Sequence, residues 1–326
     1  MSHHLRNLAK KAFTLAPYAI KRWMLGRVYA PHIAVFRQQE AIGLFDAISL
    51  ELRTRCNGLC QFCAASVKEE KRLDQTMSFD IFSKIVSELE AMNYRGRIAF
   101  NVNNDPLIVP DLLHYVTYSR RRLPLAWLQI TTNGKALRNE LATGLLKAGI
   151  NEMCINWYTQ LGEETLPENI RQFRDETLPN TLAGMQILPG HGPVEGQKLF
   201  RFNLTKRRID EVLTNRAGSA PNKRGKIQAN PFGFCNLPFT QINITADGRV
   251  SKCCADFYFD HAMGNLATQT LEEIWNGEEF RNLRQSLLKN RRKDIQHCGQ
   301  CDFIGIKPGR YRSWIDSLAA TSFSNP

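Results

Sequence analysis

From residue 46 onward the chain alternates between strand-like and helix-like segments, and this alternation restricts it to folds built on a parallel sheet. "AISLELR" (47–53), "RIAFNV" (97–102), "AWLQITT" (126–132) and "EMCINWY" (152–158) read as strands. Helical stretches separate them at 78–92, with Ser78 as N-cap, at 109–122 and at 136–148. A helix near 167–176 and two further strand-like runs, "LAGMQIL" (182–188) and "LFRFNLT" (199–205), complete the series. The pattern predicts an α/β fold, a partial (β/α)6 barrel of the TIM type, with its chemistry at the C-terminal ends of the strands. The first strand runs straight into "TRCNGLCQFCAAS" (54–66), where Cys56, Cys60 and Cys63 stand in C-x3-C-x2-C spacing with no fourth cysteine nearby.

After about residue 206 the composition shifts. "NRAGSAPNKRGKIQANPFG" is rich in Gly, Pro, Asn and basic residues and reads as a loop or linker. "FTQINITADGRVSKCC" then reads as a hairpin turning at Asp247-Gly248, followed by a helix over 270–288 and by "HCGQC". The expected units are a basic extension at 1–45, a barrel core at 46–215, and a small cysteine-rich unit of hairpin plus helix at 216–326.

The formal net charge is +12, and residues 1–45 carry seven Lys and Arg against one acid, Glu40. Such stretches favour an anionic partner or serve as a solvated basic face. Leu5, Leu8, Ala12, Leu15 and Ala19 fall at helical spacing among these charges, so an amphipathic basic helix is expected. It would rest on a membrane surface or pack on the body of the protein. No apolar run approaches the roughly 18 residues of a membrane span. Nine cysteines without a secretory signal point to the cytoplasm and to metal ligation rather than disulfides.

Structural zinc takes four protein ligands, whereas three thiolates on a four-iron cluster leave one iron open. C-x3-C-x2-C directly after the first strand of a βα fold resembles the radical S-adenosylmethionine (SAM) superfamily. The resemblance implies a [4Fe-4S] cluster on Cys56, Cys60 and Cys63, SAM on its open iron, and an external donor such as flavodoxin or ferredoxin. It also implies a 5′-deoxyadenosyl radical that takes a hydrogen atom from substrate. By the same resemblance Phe62 lies against the adenine. Asn103, Asn104, Asp105 and Pro106 stand where the family has Gly-Gly-Glu-Pro, so Asp105 is expected to meet the SAM ammonium. Thr132 and Asn133 belong to the matching "TTNG", and Asn156 is a candidate for the SAM ribose or carboxylate.

Cys235, Cys253, Cys298 and Cys301 follow in an order similar to the auxiliary-cluster domains called SPASM and, in shortened form, twitch. No cysteine follows Cys301, which favours twitch with one auxiliary [4Fe-4S] cluster; zinc is the alternative. Within the superfamily the layout is most like the 2-deoxy-scyllo-inosamine dehydrogenases, which oxidise a secondary alcohol of an aminocyclitol and pass an electron to the auxiliary cluster. That likeness makes Arg216 a substrate contact. Cys254, beside a cluster ligand, is placed near the active site as a thiol or as packing, and Cys154 is expected to be a small core residue. The expected substrate is small, polar and sugar-like, and anionic groups would suit the basic stretches. Sugar epimerisation and peptide maturation are the alternative reactions, and nucleic-acid binding is the distant alternative.

Overall fold

The computed structural model describes residues 43–160, 162–163, 165–183, 200–223, 233–257 and 259–303, with scattered positions between 17 and 36. Strands β1 (Ala47–Leu50), β2 (Arg97–Ala99), β3 (Trp127–Thr132), β4 (Glu152–Thr159) and β5 (Arg201–Arg208) are mutually parallel. The helices between them are α1 (Phe79–Ala91), α2 (Leu112–Arg122) and α3 (Asn139–Lys147). Ser78 caps α1 by accepting from Ile81 N. This helix buries Phe82, Ile85, Val86 and Leu89, each worth about 1.5–3 kcal/mol of transfer free energy.

The six-strand expectation holds in number but not in assignment. Helix α4 (Glu168–Gln172) runs through a π turn at Phe173–Thr177 into α5 (Leu178–Ala183), so the start of "LAGMQIL" is helical. The rest of that run lies outside the described residues. A short apolar run has no period that separates a buried strand from a helix end. The sixth parallel strand comes instead from the expected hairpin. After the short helix α6 (Leu237–Thr240), β6 (Gln241–Ile244) pairs parallel with β1, Asn243 opposite Ser49. Strands β7 (Arg249–Ser251) and β8 (Gly264–Asn265) continue antiparallel, giving one sheet of order β5-β4-β3-β2-β1-β6-β7-β8. The sheet therefore crosses the boundary expected at 215/216.

The register sorts the two faces. Ile48, Leu50, Ile98, Leu128, Ile130, Met153, Ile155 and Ile242 join the apolar core with the helices. Ser49, Arg97, Gln129, Glu152, Cys154, Asn203 and Asn243 alternate with them on the other, polar face.

The helix expected over 270–288 is two helices, α7 (Leu271–Trp275) and α8 (Glu278–Leu288). Thr270 and Glu273 form a capping box at the first, and Gly277 starts the second. A side chain at Gly277 would meet Glu273 O at 2.8 Å, so the break needs glycine. The N-terminal helix expectation falls largely outside the described residues. Among those described, no helix is long and apolar enough to cross a membrane.

Candidate active site

The cysteine loop leaves β1 and is tied down before it returns to α1. Arg53 bridges backbone to Thr76, holds Asp74 at 2.7 Å and donates to Ile108 O. Arg72 reaches back to Glu51, which is fully buried, and to Glu70. Its guanidinium also lies 5.0 Å from the ring centroids of Phe257 and Phe259. One arginine thus joins the loop, the end of β1 and the segment after β7.

Within the loop Gly58 sits against the sulfurs. Its N–H donates to Cys56 Sγ at 3.3 Å, and a Cβ there would lie 3.2 Å from Cys56 Sγ and 3.7 Å from Cys60 Sγ. Burial, more than the nearby Asp105 and Cys63, pushes the Cys56 thiol up to about 12. Burial and its two neighbouring thiols do the same to Cys60. Metal coordination must overcome this by displacing the protons.

Asp105 braces the ends of β2 and β3. Its carboxylate accepts from Thr132 Oγ1 at 2.9 Å, Asn133 N at 2.8 Å and Leu107 N at 3.0 Å. It is 2% exposed, and its pKa is raised because desolvation outweighs those bonds. Leu107 belongs to a 3-10 turn opened by Pro106 and capped by Asp105. Three protein donors thus already bond to the carboxylate expected to meet the SAM ammonium. Asn133, positioned by this brace, donates to Asn57 Oδ1 at 2.7 Å and lies 3.8 Å from Cys56 Sγ.

Asn103 and Asn104 each keep a buried side-chain Nδ2 without a protein partner. Their Oδ1 atoms are occupied, by Arg216 and by Val102 N. Two unmatched amide donors beside the cysteine loop fit an acceptor group such as a carboxylate. Phe62 is buried and packs on Tyr158 at 5.6 Å between centroids. Asn156 accepts from Arg207, which pairs with Glu211.

The second cysteine set is brought together in space. Cys235, Cys253, Cys298 and Cys301 line one cavity at the C-terminal end of the described chain. Arg292, 4% exposed, gathers its walls by donating to the carbonyls of Cys298, Cys301 and Phe234. Nothing in the sequence singles out this arginine from the basic run around it. Four thiols around one space match the donor set of an iron–sulfur cluster. Among the described residues no three His, Cys, Asp or Glu side chains close on a single metal ion. A four-iron cube, which binds each thiolate through a different iron, does not require them to.

Arg216 lies between the two cysteine sets. Its guanidinium donates to Cys63 Sγ at 3.4 Å, Asn103 Oδ1 at 2.8 Å and Cys254 O at 3.1 Å. The Cys254 thiol is pushed up by burial, against the pull of Arg216 and Arg97. Cys154 is not in the apolar core. It sits on the polar face of β4, within 3.7 Å of Gln129, Asn203 and Glu152 side-chain atoms. There Glu152 accepts from Trp127, Gln129 and Asn203, an arrangement with no sequence motif.

Comparison with known proteins agrees with this geometry. Residues 235–302 match the SPASM family, described as an iron-sulfur cluster-binding domain. The S-adenosyl-L-methionine-dependent 2-deoxy-scyllo-inosamine dehydrogenase of Niallia circulans is 25% identical over 264 residues, 81% of this chain and 95% of the relative. A tungsten-containing aldehyde ferredoxin oxidoreductase cofactor-modifying protein of Pyrococcus furiosus is 30% identical over 102 residues, 31% of this chain and 28% of that protein. Among solved structures, BtrN in complex with AdoMet and 2-DOIA superposes with a TM-score of 0.65 at 22% identity, covering 83% of this chain and 98% of BtrN. Native anSMEcpe with bound AdoMet superposes with a TM-score of 0.51 at 13% identity, covering 85% and 96%.

Proposed function

We propose that this chain, whose residues 235–302 match the SPASM domain, is a radical SAM enzyme that oxidises an alcohol carbon of a small polar substrate of the cyclitol or sugar class. The observation that carries this reading is the placement of Arg216 between a three-cysteine loop and a four-cysteine cavity, in contact with Cys63 and with the backbone of Cys254. The likeness to a dehydrogenase that acts on an aminocyclitol supports the substrate class.

Cys56, Cys60 and Cys63 would hold a [4Fe-4S] cluster, and Cys235, Cys253, Cys298 and Cys301 an auxiliary one. With SAM bound, the first cluster supplies the radical chemistry of this enzyme class. The residues of the chain do the rest. Gly58 keeps room at the Cys56 and Cys60 sulfurs. The side-chain N–H groups of Asn103 and Asn104 orient the SAM carboxylate. Asp105 fixes the strand ends that present them, rather than touching SAM itself. Phe62 and Tyr158 offer an aromatic wall to the adenine, and Asn156 a side-chain amide to the ribose. The N–H groups of Arg216 that are free of Cys63, Asn103 and Cys254 are left for a substrate oxygen. An external one-electron donor completes the system.

The test is an anaerobic incubation of reconstituted protein with SAM, a reductant and 2-deoxy-scyllo-inosamine as probe, run in heavy water. Oxidation yields 5′-deoxyadenosine and a carbonyl product two mass units lighter when analysed before carbonyl-adjacent exchange, with turnover retained in Cys254→Ser. An unoxidised product carrying one carbon-bound deuterium, with turnover lost in Cys254→Ser, would establish epimerisation instead.

A further inference from the structure

Three features converge on the turn that carries Arg216. Arg216 (φ 46) and Ala217 (φ 57) are successive non-glycine residues in the left-handed region, ahead of Gly218 (φ 92). L-residues resist that conformation, so it persists only where the surroundings impose it. What imposes it here is a reciprocal clasp with the segment around Cys301. Asn215 N donates to Asp302 Oδ1 at 2.8 Å, Asp302 N donates back to Asn215 Oδ1 at 3.1 Å, and Asn215 Nδ2 donates to Gln300 O. Lys223 holds the other oxygen of Asp302 at 2.6 Å. Asn215 is 1% exposed, so its side of the clasp is sheltered from water, while Asp302 and Lys223 are partly exposed. Its output is the guanidinium placed 3.4 Å from Cys63 Sγ.

We propose that Arg216 sets the reduction potential of the cluster on Cys56, Cys60 and Cys63, and that the clasp of Asn215 to the Cys301 segment holds it at that task. The proposal rests on the radical SAM reading above. Reduction adds one electron to the cluster and makes its sulfurs more negative. An N–H donor and a positive charge at a ligand sulfur stabilise that form and raise the potential. The chain of contacts from Cys301 through Asn215 to Arg216 and Cys63 also makes the first site sensitive to order at the second. Arg216 acts here as a positioning residue, through the sulfur of Cys63.

The test is an EPR-monitored redox titration of anaerobically reconstituted protein without substrate. The first cluster is identified as the signal that changes on adding SAM. Arg216→Gln should make its potential more negative by about a tenfold change in the reduction equilibrium, 59 mV for a one-electron couple. Arg216→Lys, which keeps the charge but loses the planar fork, should fall between it and wild type. Asn215→Ala, with Arg216 intact, should shift the same way, while the auxiliary signal in Arg216→Gln should move less than that of the first cluster. If Arg216→Gln fails to load, the Lys variant decides by the same criterion. An unmoved first-cluster potential, or an equal shift of both signals, overturns the proposal and leaves the radical SAM reading standing. Absence of any SAM-responsive signal in wild type overturns both.

Discussion

Replacing Asp105 distinguishes a brace from a cofactor contact. Asp105→Ala strands Thr132 Oγ1 and the N–H groups of Asn133 and Leu107 at a site 2% exposed. A hydrogen bond to a charged acceptor contributes about 1.5–3 kcal/mol. Against this, desolvation raises the pKa of Asp105, so removing the carboxylate relieves part of a burial penalty. The net expected cost is about 3–5 kcal/mol. At about 2.1 cal/mol/K of unfolding entropy per residue, a chain of 326 residues then loses about 4–7 °C in Tm. Asp105→Asn keeps two acceptor contacts and forfeits one, for about 1–2 kcal/mol. Because the folded pKa of Asp105 is raised, stability from this group falls as pH rises through the folded value. The wild type's advantage over Asp105→Asn should therefore widen as pH is lowered from the folded pKa toward the unfolded value near 3.8. Thermal melts of metal-free protein across pH, paired with SAM titrations of reconstituted protein, read both quantities. A direct contact would instead give a ten- to hundredfold loss of SAM affinity in Asp105→Asn with an unchanged melt. An Asp105→Ala variant that loses less than about 1 kcal/mol would refute the brace.

Gly58→Ala places a methyl 3.2 Å from Cys56 Sγ, so iron content should fall toward that of the auxiliary cluster alone, as measured by iron analysis. An unchanged iron-to-protein ratio would show that the loop yields. Arg72→Ala leaves the fully buried Glu51 without its cation and should cost about 3–5 kcal/mol in urea unfolding. A loss under about 1 kcal/mol would mean that Glu51 is solvated or protonated in the folded chain.

Much of this organisation was legible because local chemistry dictates it. The C-x3-C-x2-C loop is set by its own spacing, and the Asp247-Gly248 turn by the positive φ of Gly248. Ser78 caps its helix where the apolar period begins. What escaped depends on partners far away in the chain. The pairing of β6 with β1 joins residues almost 200 positions apart, and neither strand encodes its neighbour. Cys154 looked like a core residue because a strand surrounded it, yet its position in the alternation places it on the polar face. Arg292 acts on the backbone carbonyls of Cys298, Phe234 and Cys301, contacts that leave no motif. The three internal donors on Asp105 come from β3, the residue after it and the 3-10 turn, and no motif announces them.

On the proposed function, seven cysteines hold two clusters, and the three-cysteine one is the site of SAM cleavage. Iron and sulfide analysis after anaerobic reconstitution, combined with 5′-deoxyadenosine formation under reductant, tests it on wild type and on the Cys56→Ala, Cys60→Ala, Cys63→Ala triple variant. Wild type should hold about eight irons per chain and the variant about half, with 5′-deoxyadenosine formed only by wild type. Protein that takes up zinc, shows no charge-transfer absorption and leaves SAM intact would contradict it.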